Sequence, residues 1–268
     1  MRNVKMENTW INEEKLRNLG RELNRHPFFF CVPIQLSSQE SGKNEHFSGT
    51  LTLLKIGQGK NVGVTCYHVI DKFMDLLGAD SEAILVIAGV KFEGVLDKLI
   101  DHSVSNDIAI IDLTEFPALQ DIGLGITPQF CEPPHWPPHS IVEEQITTLG
   151  GFPGQWRLEK GKKHFEYSTF GIAGELVNDV RDTSFKISLV DDRHLKTDLG
   201  YKTCNDLVHY GGLSGCPVFI QRELFIEMVG IVREGGDLFF EATRLDVFDK
   251  NYQIFKFPVV VSKPLMLG

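Results

Sequence analysis

Residues 212–217 of this 268-residue chain read Gly212-Leu213-Ser214-Gly215-Cys216-Pro217, a serine between two glycines with a proline closing the turn. A nucleophilic hydroxyl needs such neighbours. Glycine takes backbone dihedrals that side chains forbid, so nearby N–H groups can turn toward one point beside the serine oxygen. Two such donors would stabilise the oxyanion of an acyl-transfer intermediate, commonly the largest single contribution to that chemistry. A nucleophile also needs a base, and the base an orienting acid. His68 closes the run Asn61-Val62-Gly63-Val64-Thr65-Cys66-Tyr67, and Asp107 stands directly before Ile108-Ala109-Ile110-Ile111. The order His68, Asp107, Ser214 is one of the three chain orders known for a Ser-His-Asp triad.

Each residue alone has an ordinary reading. Small residues and a proline before Val218-Phe219-Ile220 also make a plain turn. A histidine at a strand end is often a half-buried, hydrogen-bonded side chain, and an Asn-Asp pair favours turns. His102, near Asp107, and His209, five residues before Ser214, compete for the role of base. His102 follows a polar stretch that reads as an exposed loop. His209 reads as lining a pocket beside the nucleophile, which leaves His68 as the better base.

Taken together, Thr65-Cys66-Tyr67-His68, Asn106-Asp107-Ile108-Ala109 and Gly212 to Pro217 resemble the three site motifs of the trypsin-like, chymotrypsin-fold serine peptidases. Of these, the bacterial and intracellular branches are nearer than the digestive enzymes. Leu149-Gly150-Gly151-Phe152-Pro153-Gly154 and Val229-Gly230-Ile231-Val232 add weaker matches, so the resemblance spans residues 28–250. It implies a serine endopeptidase acting on a protein or peptide, with His68 as base, Asp107 orienting it and Ser214 as nucleophile. The backbone N–H groups of Gly212 and Ser214 would form the oxyanion hole. Val208, His209, Val232, Arg233 and Glu234 would line the substrate site. No metal and no cofactor are implied.

Leu213 occupies the place where the digestive enzymes carry the aspartate that captures a newly cut N-terminus. Activation by that ion pair is therefore not expected. The loop either stands formed or is ordered by a regulatory protein partner. Val208 stands where trypsins have their pocket-base acid, which argues against an Arg/Lys preference and toward small or apolar side chains. Two other readings compete. One is a catalytically silent protease fold used as a binding scaffold. The other is an α/β-type esterase, whose order Ser…Asp…His fails because no histidine follows Ser214.

Many short apolar segments punctuated by Gly and Pro favour an all-β fold. The strand-like segments are 28–35, 47–56, 62–66, 83–90 and 108–113 in the first half. In the second they are 145–149, 165–173, 185–189, 217–220 and 228–232. The resemblance implies that these build two six-stranded antiparallel β-barrels, over 28–130 and 143–268. Residues 131–142, with Pro133, Pro134, Pro137 and Pro138, form the linker between them. Cys131, His135 and His139 have a tempting metal spacing, but no fourth ligand accompanies them. A short helix is expected over 70–77 and another over 246–252. Before the barrels, residues 1–27 carry an amphipathic helix capped at Asn12, with Leu16, Leu19 and Leu23 on one stripe and Pro27 as its stop.

The formal charge of −9 argues against nucleic acid or an anionic membrane surface as partner. The one basic cluster, Lys160 to His164, reads as a solvated hairpin tip. No apolar core follows Met1-Arg2-Asn3-Val4-Lys5, and no run reaches the ~20 residues of a spanning helix. With five cysteines, an odd number lacking metal or redox spacing, the sequence predicts a cytoplasmic protein with reduced thiols. A Cys204–Cys216 bridge around the serine is the alternative.

Overall fold

The computed structural model describes residues 13–37, 46–57, 59–121, 125–156, 158–159, 165–166, 168–189, 210–236 and 238–255. The described residues are mostly β: a seven-stranded sheet, a closed six-stranded barrel and a two-stranded ribbon, all antiparallel, with two α-helices. The first sheet contains β1 (Cys31–Ser37), β2 (His46–Lys55), β3 (Asn61–Thr65), β4 (Ile84–Ile87), β5 (Val90–Phe92), β6 (Leu99–Ser103) and β7 (Ile108–Asp112). These form a curled seven-stranded sheet in the order β5-β4-β1-β2-β3-β7-β6. The second half contains β8 (Ile146–Gly151), a short ribbon of β9 (Leu158–Glu159) and β10 (Phe165–Glu166), and five further strands. These five are β11 (Phe170–Asn178), β12 (Ser184–Ser188), β13 (Pro217–Gln221), β14 (Ile226–Gly235) and β15 (Phe239–Arg244). With β8 they close a six-stranded barrel in the order β11-β12-β15-β14-β13-β8.

Burial explains the strands. Every residue of β1 is buried, because this strand is central in its sheet and covered on both faces. Gly63 on β3 is required by packing, since a Cβ there would stand 2.8 Å from the Leu51 side chain. The segment expected as one strand over 83–90 turns at Ala88 and Gly89, both at positive φ, and splits into β4 and β5. One core of Val32, Ile34, Leu51, Val64 and Ile110 continues into Phe219, Ile231 and Phe248 of the second half. A second core, around Leu149, Phe185, Val218 and Phe240, fills the barrel.

The three expected helices also differ. The helix after His68 is longer, α2 (Tyr67–Ala79), and buries Val69, Ile70, Phe73 and Leu76. In place of a terminal helix over 246–252 there is only a 3₁₀ turn, Leu245–Val247. The Asp249 carboxylate accepts the N–H groups of Asn251 and Gln253, folding the chain into a turn that returns Ile254 to Phe248. The N-terminal helix is α1 (Glu13–Arg25), but Leu19 is 53% exposed. The buried side carries Gly20 and Asn24 instead, and α1 lies against β8 and β11. Gly171 on β11 admits this close approach: a Cβ there would sit 2.9 Å from the Asn24 carbonyl oxygen.

The Pro-rich segment runs as an extended strap. Cys131 bridges to Leu54, and Trp136 donates its indole N–H to the Phe248 carbonyl. Cys131, His135 and His139 are not gathered into one ligand set, since His139 Nδ1 lies 2.8 Å from Glu227 Oε1. Glu227 is buried and also accepts Arg222 Nε at 2.8 Å. Burial pushes the Glu227 carboxyl up, but its hydrogen bonds from His139 and Arg222 outweigh that and hold it below the usual range.

Glu227→Gln should therefore cost about 1–3 kcal/mol at neutral pH, by leaving the half-buried Arg222 without its countercharge. A depressed carboxyl stabilises the fold above its unfolded pKa of about 4, and that contribution disappears as pH falls through the folded value. Urea unfolding of wild type and variant should converge in acid. A difference independent of pH would contradict the assignment.

Candidate active site

His68 is delivered by a strand-to-helix corner. β3 ends at Thr65, Cys66 stays extended, and α2 begins at Tyr67, so His68 lies in the first helical turn. The orphan N–H groups of that turn need acceptors. Asp107 supplies one: its Oδ1 accepts the His68 backbone N–H at 2.9 Å, while Oδ2 lies 2.7 Å from His68 Nδ1. Both carboxylate oxygens are thus committed to one residue, fixing the ring and its tautomer.

Asp107 closes the β6–β7 turn at φ 48°, in the left-handed region that aspartate tolerates better than most residues. The second half pins the same turn through Thr243 Oγ1, which donates to the Asn106 carbonyl at 2.6 Å. Burial pushes the Asp107 carboxyl up. The His68 hydrogen bonds and the charges of His68 and Arg233 outweigh it and hold the group below the ordinary carboxylate range. The imidazole itself is half exposed, at 53% of its side-chain area, so the ring faces solvent.

The Ser214 loop is held between β2 and β14. Thr50 on β2 donates its N–H to the Ser214 carbonyl at 2.9 Å and its Oγ1 to the Gly212 carbonyl at 2.9 Å. Thr52 Oγ1 donates to the Gly215 carbonyl at 2.7 Å. Thr65, three residues before His68, donates Oγ1 to the Thr50 carbonyl at 2.8 Å. From the other side, the Val232 carbonyl accepts the Gly215 N–H at 2.7 Å and the Cys66 thiol at 3.1 Å. Gly212 and Gly215 have φ of 95° and 90°. The N–H groups of Leu213, Gly215 and Cys216 are bonded within the protein, whereas those of Gly212 and Ser214 bond no group among the described residues.

The structure thus joins His68 to Asp107 and ties the Ser214 loop to β14 and to β2, the strand paired with β3. Val208 and His209 lie outside the described residues, as do Cys204, the Lys160–His164 cluster and the tail beyond Phe255. Val232 is buried in the barrel core, with its backbone bonded to the loop. Arg233 pairs with Glu241, and Glu234 is exposed. His102 is not brought to Asp107: it lies on β6, not in a loop, and stacks on Tyr67 at 4.8 Å. Leu213 is buried in the barrel core. Cys31, Cys66, Cys131 and Cys216 are free thiols.

Thr50, Thr52 and Cys66 went unread in the sequence. The hydroxyls of Thr50 and Thr52, inside the apolar run Gly49-Thr50-Leu51-Thr52-Leu53, must find partners when buried, but nothing in the run marks where those partners lie.

No protein-family model matches the chain, and no curated protein matches it. Among solved structures it is similar to the Rv3671c protease of M. tuberculosis in its active form. The match has 14% identity and a TM-score of 0.43, covering 85% of this chain and 81% of that one. Among the described residues, no helix is long and apolar enough to cross a membrane.

Proposed function

We propose that this chain is a serine-type endopeptidase working through an acyl-enzyme. One observation carries the reading. His68 holds both oxygens of Asp107, while the loop bearing Ser214 is hydrogen-bonded to β2 and β14 beside it. With Nδ1–H directed at Asp107, Nε2 is the nitrogen left to take the Ser214 proton as its oxygen attacks a peptide carbonyl. The imidazolium that forms is stabilised by the ionised Asp107 and then protonates the leaving amine. Water repeats the sequence on the acyl-enzyme. The oxyanion is received by the N–H groups of Gly212 and Ser214, each such donor contributing about 3–4 kcal/mol to the transition state.

The buried thiols and Leu213 imply that neither disulfides nor N-terminal trimming is needed. Full-length protein kept in dithiothreitol should cleave a mixed peptide library, read as new termini by mass spectrometry. Cleavage seen only after oxidation or trimming would contradict this activation scheme. No cleavage in any state would sink the reading.

A further inference from the structure

A second feature lies on the Asp107 side of the His68 ring. The Sγ of Cys66, a ring nitrogen of His68 and a carboxylate oxygen of Asp107 all lie within 4.8 Å of one another. Nδ1 is the nitrogen that faces the carboxylate, so it is the one presented. We propose that Cys66, His68 and Asp107 form a three-ligand site for a thiophilic divalent cation of the zinc and cadmium class.

The donor set fits. Thiolate, imidazole and carboxylate are the ordinary ligands of zinc, at about 2.3, 2.0 and 2.1 Å, which places tetrahedral ligands about 3.5 Å apart. The three atoms need to close by little more than an ångström, and His68 and Asp107 need to part slightly from 2.7 Å. Cys66 is fully buried, but His68 is half exposed, so a cation reaches the group from the solvent side and keeps one position for water. Opposing it are the Cys66 hydrogen bond to the Val232 carbonyl and the nearby Arg233 guanidinium, which already pairs with Glu241.

Binding replaces the S–H bond of Cys66 with a sulfur–metal bond and releases that proton to solvent. The imidazole proton moves from Nδ1 to Nε2 as the metal takes Nδ1. One proton is released per cation, so affinity rises with pH. On the proposed peptidase reading, a protonated Nε2 cannot accept the Ser214 proton, and the loaded form is inactive. Cation binding itself does not depend on that reading.

The probe is Cd²⁺ added to the reduced full-length chain, followed by its ultraviolet thiolate-to-cadmium charge-transfer band and by proton release. The expected result is saturable binding of one ion with about one proton released. Cys66→Ser should abolish the band. Asp107→Asn should keep the band but weaken affinity by more than the roughly 10–100-fold that loss of an outer-shell partner costs. Melting curves confirm that each variant is folded. Zn²⁺ should inhibit peptide cleavage reversibly in the wild type. An undiminished band in folded Cys66→Ser, or no saturable binding, overturns the site. Binding without any peptide cleavage leaves the site standing and removes the peptidase reading instead.

Discussion

Ser214→Ala and His68→Ala should each lower kcat/KM on a susceptible peptide by roughly 10⁴–10⁶-fold, because members of such a triad act as a unit and either loss removes the shared proton transfer. The double variant should be scarcely worse than either single one, which is the signature of that coupling. Neither change should unfold the protein. The bonds that fix residue 214 run through its backbone, and the His68 side chain is half exposed. Steady-state kinetics beside melting curves check both statements. Full turnover in His68→Ala would mean that the base lies elsewhere.

Gly215→Ala should be nearly as damaging, for a different reason. At φ 90° an added Cβ is strained, and it would stand 2.1 Å from the Thr50 carbonyl oxygen and 2.5 Å from Thr65 Oγ1. No rotamer relieves a clash with backbone. The loop must leave β2, breaking its bonds to Thr50 and Thr52 and carrying Ser214 away from His68. A displacement of about 1 Å in a catalytic constellation costs on the order of a hundredfold, so activity should fall by at least that much. Stability should drop by about 3 kcal/mol or more, from the strain and the lost contacts together. Gly211→Ala is the control: a Cβ there meets nothing within 4 Å, and both activity and melting temperature should hold. Equal behaviour of the two variants would show that the loop is not clamped as described.

The residues that read clearly in the sequence are those whose chemistry is local. β3, β7 and β13 are compact apolar runs with one punctuating residue, and they appear almost where expected. Less legible were elements whose reason for existing lies across the molecule. β6, Leu99-Ile100-Asp101-His102-Ser103, is polar and carries a bulge, so its alternation is broken; it exists because β7 needs a partner. β15 hides charged Glu241, whose partners Ser184 and Arg233 become visible only in three dimensions. The leucine stripe of α1 misled for a related reason. A barrel wall with Gly171 accepts a close backbone, so the small face of the helix packs and Leu19 stays outside. In the site, the order of His68, Asp107 and Ser214 was readable, but the threonines and the cysteine that hold the loops together were not. Buried hydroxyls and thiols carry no periodicity of their own.

The most direct measurement of the central claim is reaction of the folded, reduced, full-length protein with a fluorophosphonate, followed by peptide mass spectrometry. The account predicts one adduct, on Ser214, lost in Ser214→Ala and strongly slowed in His68→Ala. A folded protein that stays unlabelled at Ser214 would contradict it, and would mark the chain as a protease-like scaffold without the chemistry.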